Sequence, residues 1–254
     1  MFKKTLLVLM LLPLLSCSHY SQSLKEILPR TSFLHLQKTL TVLKCENEAC
    51  ISRDFRSAAS AFIVKIVGDG SFASTAAHVC EDNVPPDMES PTTKTLAHYK
   101  MRRLDGTEYS ATVLTYDRDI DACLMFVENL TEEVKAVKIS STKPEPGDRI
   151  YNIAAPIAIF RPNMVPIIEG RYNGDSDNLA WYTLMAAPGS SGSMVLNEKG
   201  ELIGLVHSVY VRFPTITLGV RYDDLIGFIK NNLNKYIVYK DVMGLLGLED
   251  IFKS

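Results

Sequence analysis

The chain is expected to fold as an all-β domain, a barrel or a sandwich, closed by a helix. Three observations predict this. Short apolar or alternating segments recur between residues 33 and 222, at turn spacings of roughly 8–12 residues. Gly, Pro, Asn and Asp stand between them, the residue types that turns require. A helical period is first evident at Asp223–Leu233, where Leu225, Ile226, Ile229 and Leu233 share one face. With 254 residues, 46% of them hydrophobic and 22% charged, the chain can bury one large core or two small ones. A formal net charge of −2 offers no surface for nucleic acid, and no such partner is expected.

The first residues stand apart from the fold. Lys3 and Lys4 precede an apolar run, Thr5–Leu15, that is too short to span a bilayer with its flanks. Leu14-Leu15-Ser16-Cys17 resembles a bacterial lipobox, which implies removal of residues 1–16 and acylation of Cys17. Several acyl chains on one cysteine hold a protein to a membrane, whereas a single chain is marginal. The expected location is therefore an exported, membrane-anchored one. Ser18 points to the periplasmic side of an outer membrane. Residues 17–31 are Ser-rich and read as a tether with one helical turn at Ser23–Leu28.

The strands follow in order. Phe33–Lys44, Ser57–Val67 and Ser71–Ala77 come first, the last ending at His78. Asp82–Thr93 carries three prolines and is a loop. Ala97–Arg103 and Glu108–Tyr116 form a hairpin across Asp105-Gly106, and Cys123–Val127 is a buried strand. A second set comprises Val134–Ile139, Arg149–Ile159, Met164–Tyr172, Leu179–Ala186, Ser193–Leu196, Glu201–Val211 and Thr215–Arg221, with a polar turn at Asn173–Asn178. The two sets divide the domain, residues 32–233, at about 33–130 and 134–222. Residues 234–254 form an extension with a short strand or turn and a helix at Met243–Phe252.

Export implies an oxidising compartment. Besides Cys17 there are four cysteines, Cys45, Cys50, Cys80 and Cys123. Cys45 and Cys50 suit a small closed loop at a strand end, leaving Cys80 for Cys123 or both as buried thiols.

The chemistry centres on Pro188-Gly-Ser-Ser-Gly-Ser-Met-Val195. Gly189 and Gly192 can take φ > 0, so the loop can present the Ser191 hydroxyl beside converging backbone N–H groups. Taken alone, the stretch also reads as a plain turn. A serine needs a base to become a nucleophile. Of five histidines, His78 ends the small-residue run Ser74-Thr-Ala-Ala-His78, which leaves room for an imidazole to move. Asp121 directly precedes an apolar strand, where a carboxylate is shielded and can orient the base; Asp117 and Asp119 are expected in a solvated loop. A metal site on His78 and Cys80 lacks further ligands at usable spacing, and no metal or cofactor is expected.

Thr75-Ala-Ala-His78, Asp121-Ala-Cys-Leu and Gly189-Ser-Ser191-Gly-Ser resemble the three motifs of the chymotrypsin-like (trypsin-fold) serine proteases, in that family's chain order. The short loops are closer to its HtrA-like and glutamyl-endopeptidase branch, and nothing after Leu233 resembles a PDZ domain. The resemblance implies two six-stranded antiparallel β-barrels and an endopeptidase acting on proteins or peptides. It implies a triad of Ser191, His78 and Asp121, with an oxyanion hole from the N–H groups of Gly189 and Ser191. It places substrate-binding residues near Met185, His207, Ser208, Val209 and Gly219. His207 either recognises an acidic side chain or packs beside Asp121 or in the pocket wall; a small or aliphatic preference is expected otherwise. Cys80 is displaced by one residue from the Cys after the His in animal members, so that disulfide does not transfer. Pairing with Cys123 would tie the two catalytic segments together. Ser193 replaces a common Gly and is expected to be tolerated. The competing expectation is a catalytically silent, peptide-binding protein of the same fold.

Overall fold

The structure, a computed structural model, describes residues 23–46, 49–210 and 212–245. The leader, Cys17 and the end of the C-terminal extension lie outside the described residues. The described residues form two closed, six-stranded antiparallel barrels. Barrel one contains β1 (Phe33–Glu46), β2 (Ala49–Val67), β3 (Gly70–Thr75), β4 (Lys94–Arg102), β5 (Glu108–Asp117) and β6 (Ala122–Glu128), ordered β1-β2-β3-β6-β5-β4. Barrel two contains β7 (Arg149–Ile153), β8 (Ile167–Ser176), β9 (Leu179–Thr183), β10 (Met194–Leu196), β11 (Leu202–Val209) and β12 (Ile216–Val220), ordered β10-β11-β12-β9-β8-β7. Among the described residues three α-helices accompany them: α1 (Leu24–Ile27), α2 (Ala77–Cys80) and α3 (Tyr222–Leu245).

Strand side chains alternate between two faces, so each strand fills its barrel with every second residue. Leu34, Leu36, Phe62, Phe72, Met101 and Met125 are fully buried in barrel one. Tyr172, Tyr182, Val195 and Ile203 fill barrel two. Phe160, Met194 and Leu205 join the first core, so the barrels share apolar contact rather than merely touching. Helix α3 buries Leu225, Ile226 and Ile229 against that core, as its period predicts.

Several boundaries differ from the sequence reading, each for a tertiary reason. Strand β2 begins eight residues early, at Ala49, although Ile51-Ser-Arg-Asp54 has no apolar period. Its pairing with β1, unbroken along all 14 residues of β1, and the Cys45–Cys50 disulfide hold it extended. Val134–Ile139 is not a strand: Val134 and Val137 are buried in the shared core, and only Ile139 bridges Leu202. Strand β7 stops at Ile153, and Pro156–Ala158 is a 3-10 turn. The expected polar turn narrows to Asp177-Asn178, both left-handed at φ 52° and 63°, because Gly174–Ser176 of β8 pair with β9. Helix α3 runs through the expected break after Leu233, held by Tyr236, whose hydroxyl donates to Leu114 O at 2.6 Å.

His35, on β1, is 3% exposed. Its ring stacks on Phe160 at 5.1 Å, and neither ring nitrogen has a hydrogen-bond partner. Burial, assisted by the Arg102 charge, lowers its pKa from 6.5 to about 4. The folded protein therefore holds His35 neutral while the unfolded chain protonates it below about pH 6.5. Stability is intact above that pH and is lost as pH falls toward 4, by about 3 kcal/mol in all. Urea unfolding at pH 7 and 4.5 will show a smaller pH dependence in His35→Phe than in the wild type. Equal pH dependence in both would remove His35 from the acid response.

Candidate active site

The serine loop joins β9 to β10 and is built on two left-handed glycines, Gly189 (φ 98°) and Gly192 (φ 79°). A Cβ on Gly189 would meet Ala155 O at 2.5 Å, and one on Gly192 would meet Ser60 O at 2.5 Å and Ala76 N at 2.8 Å. The loop is pinned on every side. Ser190 N–H donates to Ala187 O (2.9 Å), Gly192 N–H to Val206 O (2.8 Å) and Ser193 N–H to Ser190 O (3.0 Å). Ile157 N–H donates to Pro188 O at 2.6 Å, which turns that carbonyl away from the loop's interior. Ser193 is fully buried, and its hydroxyl accepts from Asn152 Nδ2 at 2.8 Å. Among the described residues, the N–H groups of Gly189 and Ser191 donate to no protein acceptor.

Barrel one reaches this loop through Ser60. Its N–H donates to Ser191 O (3.0 Å), and its hydroxyl donates to Gly189 O (2.8 Å) while accepting from Ala155 N–H (3.0 Å). Thr75 Oγ1 in turn donates to Ser60 O at 2.8 Å. One residue thus sets the serine loop of barrel two against barrel one. Sequence reasoning missed Ser60; its only signal is a place in the small-residue run Ser57-Ala-Ala-Ser60-Ala61.

His78 lies on the helical turn α2, because β3 ends at Thr75 rather than running on to the histidine. Its imidazole Nδ1 is 2.8 Å from Asp121 Oδ2 and 3.1 Å from Oδ1, and its backbone N–H donates to Oδ1 at 2.8 Å. The Nδ1 contact implies a proton on that nitrogen, leaving Nε2 free to accept one. Asp121 is 6% exposed and has a left-handed backbone, φ 55°. Such strain in a non-glycine residue persists where surrounding contacts over-determine it. The Cys80–Cys123 disulfide joins the histidine turn to β6, two residues past Asp121, and Cys45–Cys50 is also formed. Cys80 therefore has no thiolate to give a metal. Asp119 is exposed, whereas Asp117 caps the turn, its Oδ1 accepting from Asp119 N–H at 2.9 Å.

His78, Asp121 and Ser191 line one cleft of about 690 Å³ between the barrels. Ser191 and His78 make no direct hydrogen bond among the described residues. Ala186, Ala187, Val206 and Val209 give the cleft an apolar wall, and Glu81 with Arg118 forms an ion pair of 2.6 Å at its edge. Of the expected substrate residues, His207, Ser208 and Val209 line the cleft and two others do not. Met185 is 65% exposed, directed to solvent by the alternation of an extended chain after the buried Leu184. Gly219 pairs with Ala180 and Val206, and a Cβ there would meet Tyr182 inside barrel two.

His207 takes the place beside Asp121. Its Nε2 is 3.5 Å from Asp121 Oδ2, its Nδ1 is 2.8 Å from Ser208 Oγ, and its ring lies edge-on to His78 at 6.3 Å. Burial lowers its pKa; Asp121 opposes that shift and His78 adds to it. A neutral His207 leaves the Asp121 charge directed to His78.

The comparisons agree with this architecture. Residues 59–205 match the trypsin-like peptidase domain family. Among solved structures, the chain is similar in fold to an HtrA-type protease, an AlgW variant with a decapeptide, at TM-score 0.66 and 15% identity. That likeness covers 84% of this chain and 67% of the other. No curated protein matches the chain in sequence.

Proposed function

The chain belongs to the trypsin-like peptidases, and on that premise we propose that it hydrolyses peptide bonds through Ser191, His78 and Asp121. The observation that carries this reading is one cleft lined by Ser191 and by an imidazole bonded through Nδ1 to a buried carboxylate, beside a serine loop in which the N–H groups of Gly189 and Ser191 are unengaged among the described residues. His78 Nε2 takes the Ser191 proton as the hydroxyl oxygen adds to the carbonyl carbon. The resulting oxyanion accepts hydrogen bonds from the N–H groups of Gly189 and Ser191. His78 then returns the proton to the leaving amine, and an acyl-enzyme forms. Water, deprotonated by the same imidazole, releases the acid. Asp121 holds the tautomer and offsets the imidazolium charge. The substrate is a protein or peptide, and the apolar wall of Ala186, Val206 and Val209 supports a small or aliphatic side chain before the cleaved bond. Acylated Cys17 anchors the domain to a membrane on the exported side.

One labelling experiment tests both parts. A fluorophosphonate probe is expected to label the full chain in the membrane fraction and not to label Ser191→Ala. Cys17→Ala is expected to move the labelled protein to the soluble fraction. A folded wild type that takes no label would instead favour a silent, peptide-binding protein.

A further inference from the structure

We infer that the outer edge of β2, from Cys50 to Arg56, is a docking rail. On it a substrate chain pairs as an added antiparallel strand well beyond the catalytic cleft. This rests on the proteolytic reading of the cleft, and its test is separable from that reading.

Residues 49–61 of β2 pair with β1 alone, since β3 joins β2 only at Phe62–Val67. Among the described residues no strand covers the other edge. In an antiparallel pair, successive residues turn their N–H and C=O groups alternately toward and away from the partner. Ser60 fixes the phase, because its N–H leaves β1 to reach Ser191 O. The register is unbroken from Phe62 to Ala49, so Ala58, Arg56, Asp54, Ser52 and Cys50 also face outward. The opposite end of the strand agrees. Cys45 and Cys50 face each other at a Cα separation of 4.1 Å, the close spacing of a pair without mutual hydrogen bonds, about 4.5 Å. Residues 49–57 are exposed apart from Phe55.

Open edges are usually shortened, bent or covered. This one pairs with β1 without a bulge, is clipped at its tip by a disulfide, and runs about 20 Å from Cys50 to Arg56 at about 3.4 Å per residue. Its position selects the occupant. The edge starts at the residue bonded to Ser191, so a polypeptide crossing the catalytic serine is delivered onto it. Main-chain pairing of this kind supplies affinity with little demand on side chains. The inferred substrate is therefore a protein with a long extended segment on one side of the cleaved bond.

The test uses full-length Ser191→Ala and peptides extended by two, four, six or eight residues on either side of a cleavable bond. Longer peptides are expected to bind more tightly on one side only. N-methylation of every second residue along that side is expected to weaken binding about tenfold per site, with intervening positions unaffected. Bound peptide will slow amide exchange at Ser52, Asp54 and Arg56 but not change it at Arg53 or Phe55. Arg56→Pro removes one outward N–H and no bond to β1, and is expected to abolish the gain from length while short peptides bind as before. Affinity independent of length, or indifferent to which residue is methylated, would overturn the rail even where fluorophosphonate labelling succeeds. Alternating methylation effects without any cleavage by the wild type would uphold the rail and sink the protease reading.

Discussion

Ser191→Ala will lower kcat by about a million-fold, and His78→Ala will match it, because each removes the same proton-coupled attack. The double variant will lose no more than either single one. Residues acting as one unit are not additive, and what remains comes from cleft binding and the oxyanion donors. Asp121→Asn will cost less, about ten-thousand-fold. The cause is geometric. Asp121 Oδ1 accepts both the backbone N–H and Nδ1 of His78, and Oδ2 lies 2.8 Å from Nδ1. An amide can keep the backbone bond through its oxygen, but its NH₂ then meets Nδ1 and favours the tautomer with the proton on Nε2. His78 would then be unable to take the serine proton. Steady-state kinetics on one peptide substrate check all four variants. Ser191→Ala activity above about a hundredth of wild type would remove Ser191 as the nucleophile.

Gly192→Ala will destabilise the domain by on the order of 3–5 kcal/mol and lower activity as well. Two effects add. At φ 79° an L-residue is strained, and the new methyl would meet Thr75 Oγ1, Ser60 O and Ala76 N. Two of these three are backbone atoms of barrel one, which cannot rotate aside. Relief requires the serine loop to withdraw from Ser60 and carry Ser191 with it. A displacement of about 1 Å in a reacting group is worth roughly a hundred-fold in rate. Gly147→Ala separates the two contributions. Gly147 has φ 99° with nothing within 4 Å of an added Cβ, so the strain alone, about 1–2 kcal/mol, is expected there. Chemical denaturation of both variants gives the comparison, and equal losses would show that packing against barrel one contributes nothing.

The boundaries that sequence reading misplaced share a cause. Periodicity reports which face of a segment is buried, so it located β1 and the start of α3, while continuous apolar runs located β6 and β11. It is silent where an element is held by something else. The early half of β2 is polar and exists through its ladder with β1 and a disulfide. Residues 134–139 are apolar because they fill the seam between barrels, not because they pair.

For the candidate site, residue type and order singled out His78, Asp121 and Ser191, whose glycine, small or apolar flanks few other residues share, and the fold brings the three to one cleft. What the sequence by itself determined is which side chains of suitable chemistry are on offer and which backbone positions must be glycine. The tertiary structure alone decided how they meet. Ser60 from barrel one sets the depth of the serine loop, Ile157 turns the Pro188 carbonyl aside, and His207 stands beside Asp121. These contacts join segments up to 131 positions apart in the chain, and no local pattern encodes an approach that arises only when two closed barrels pack together.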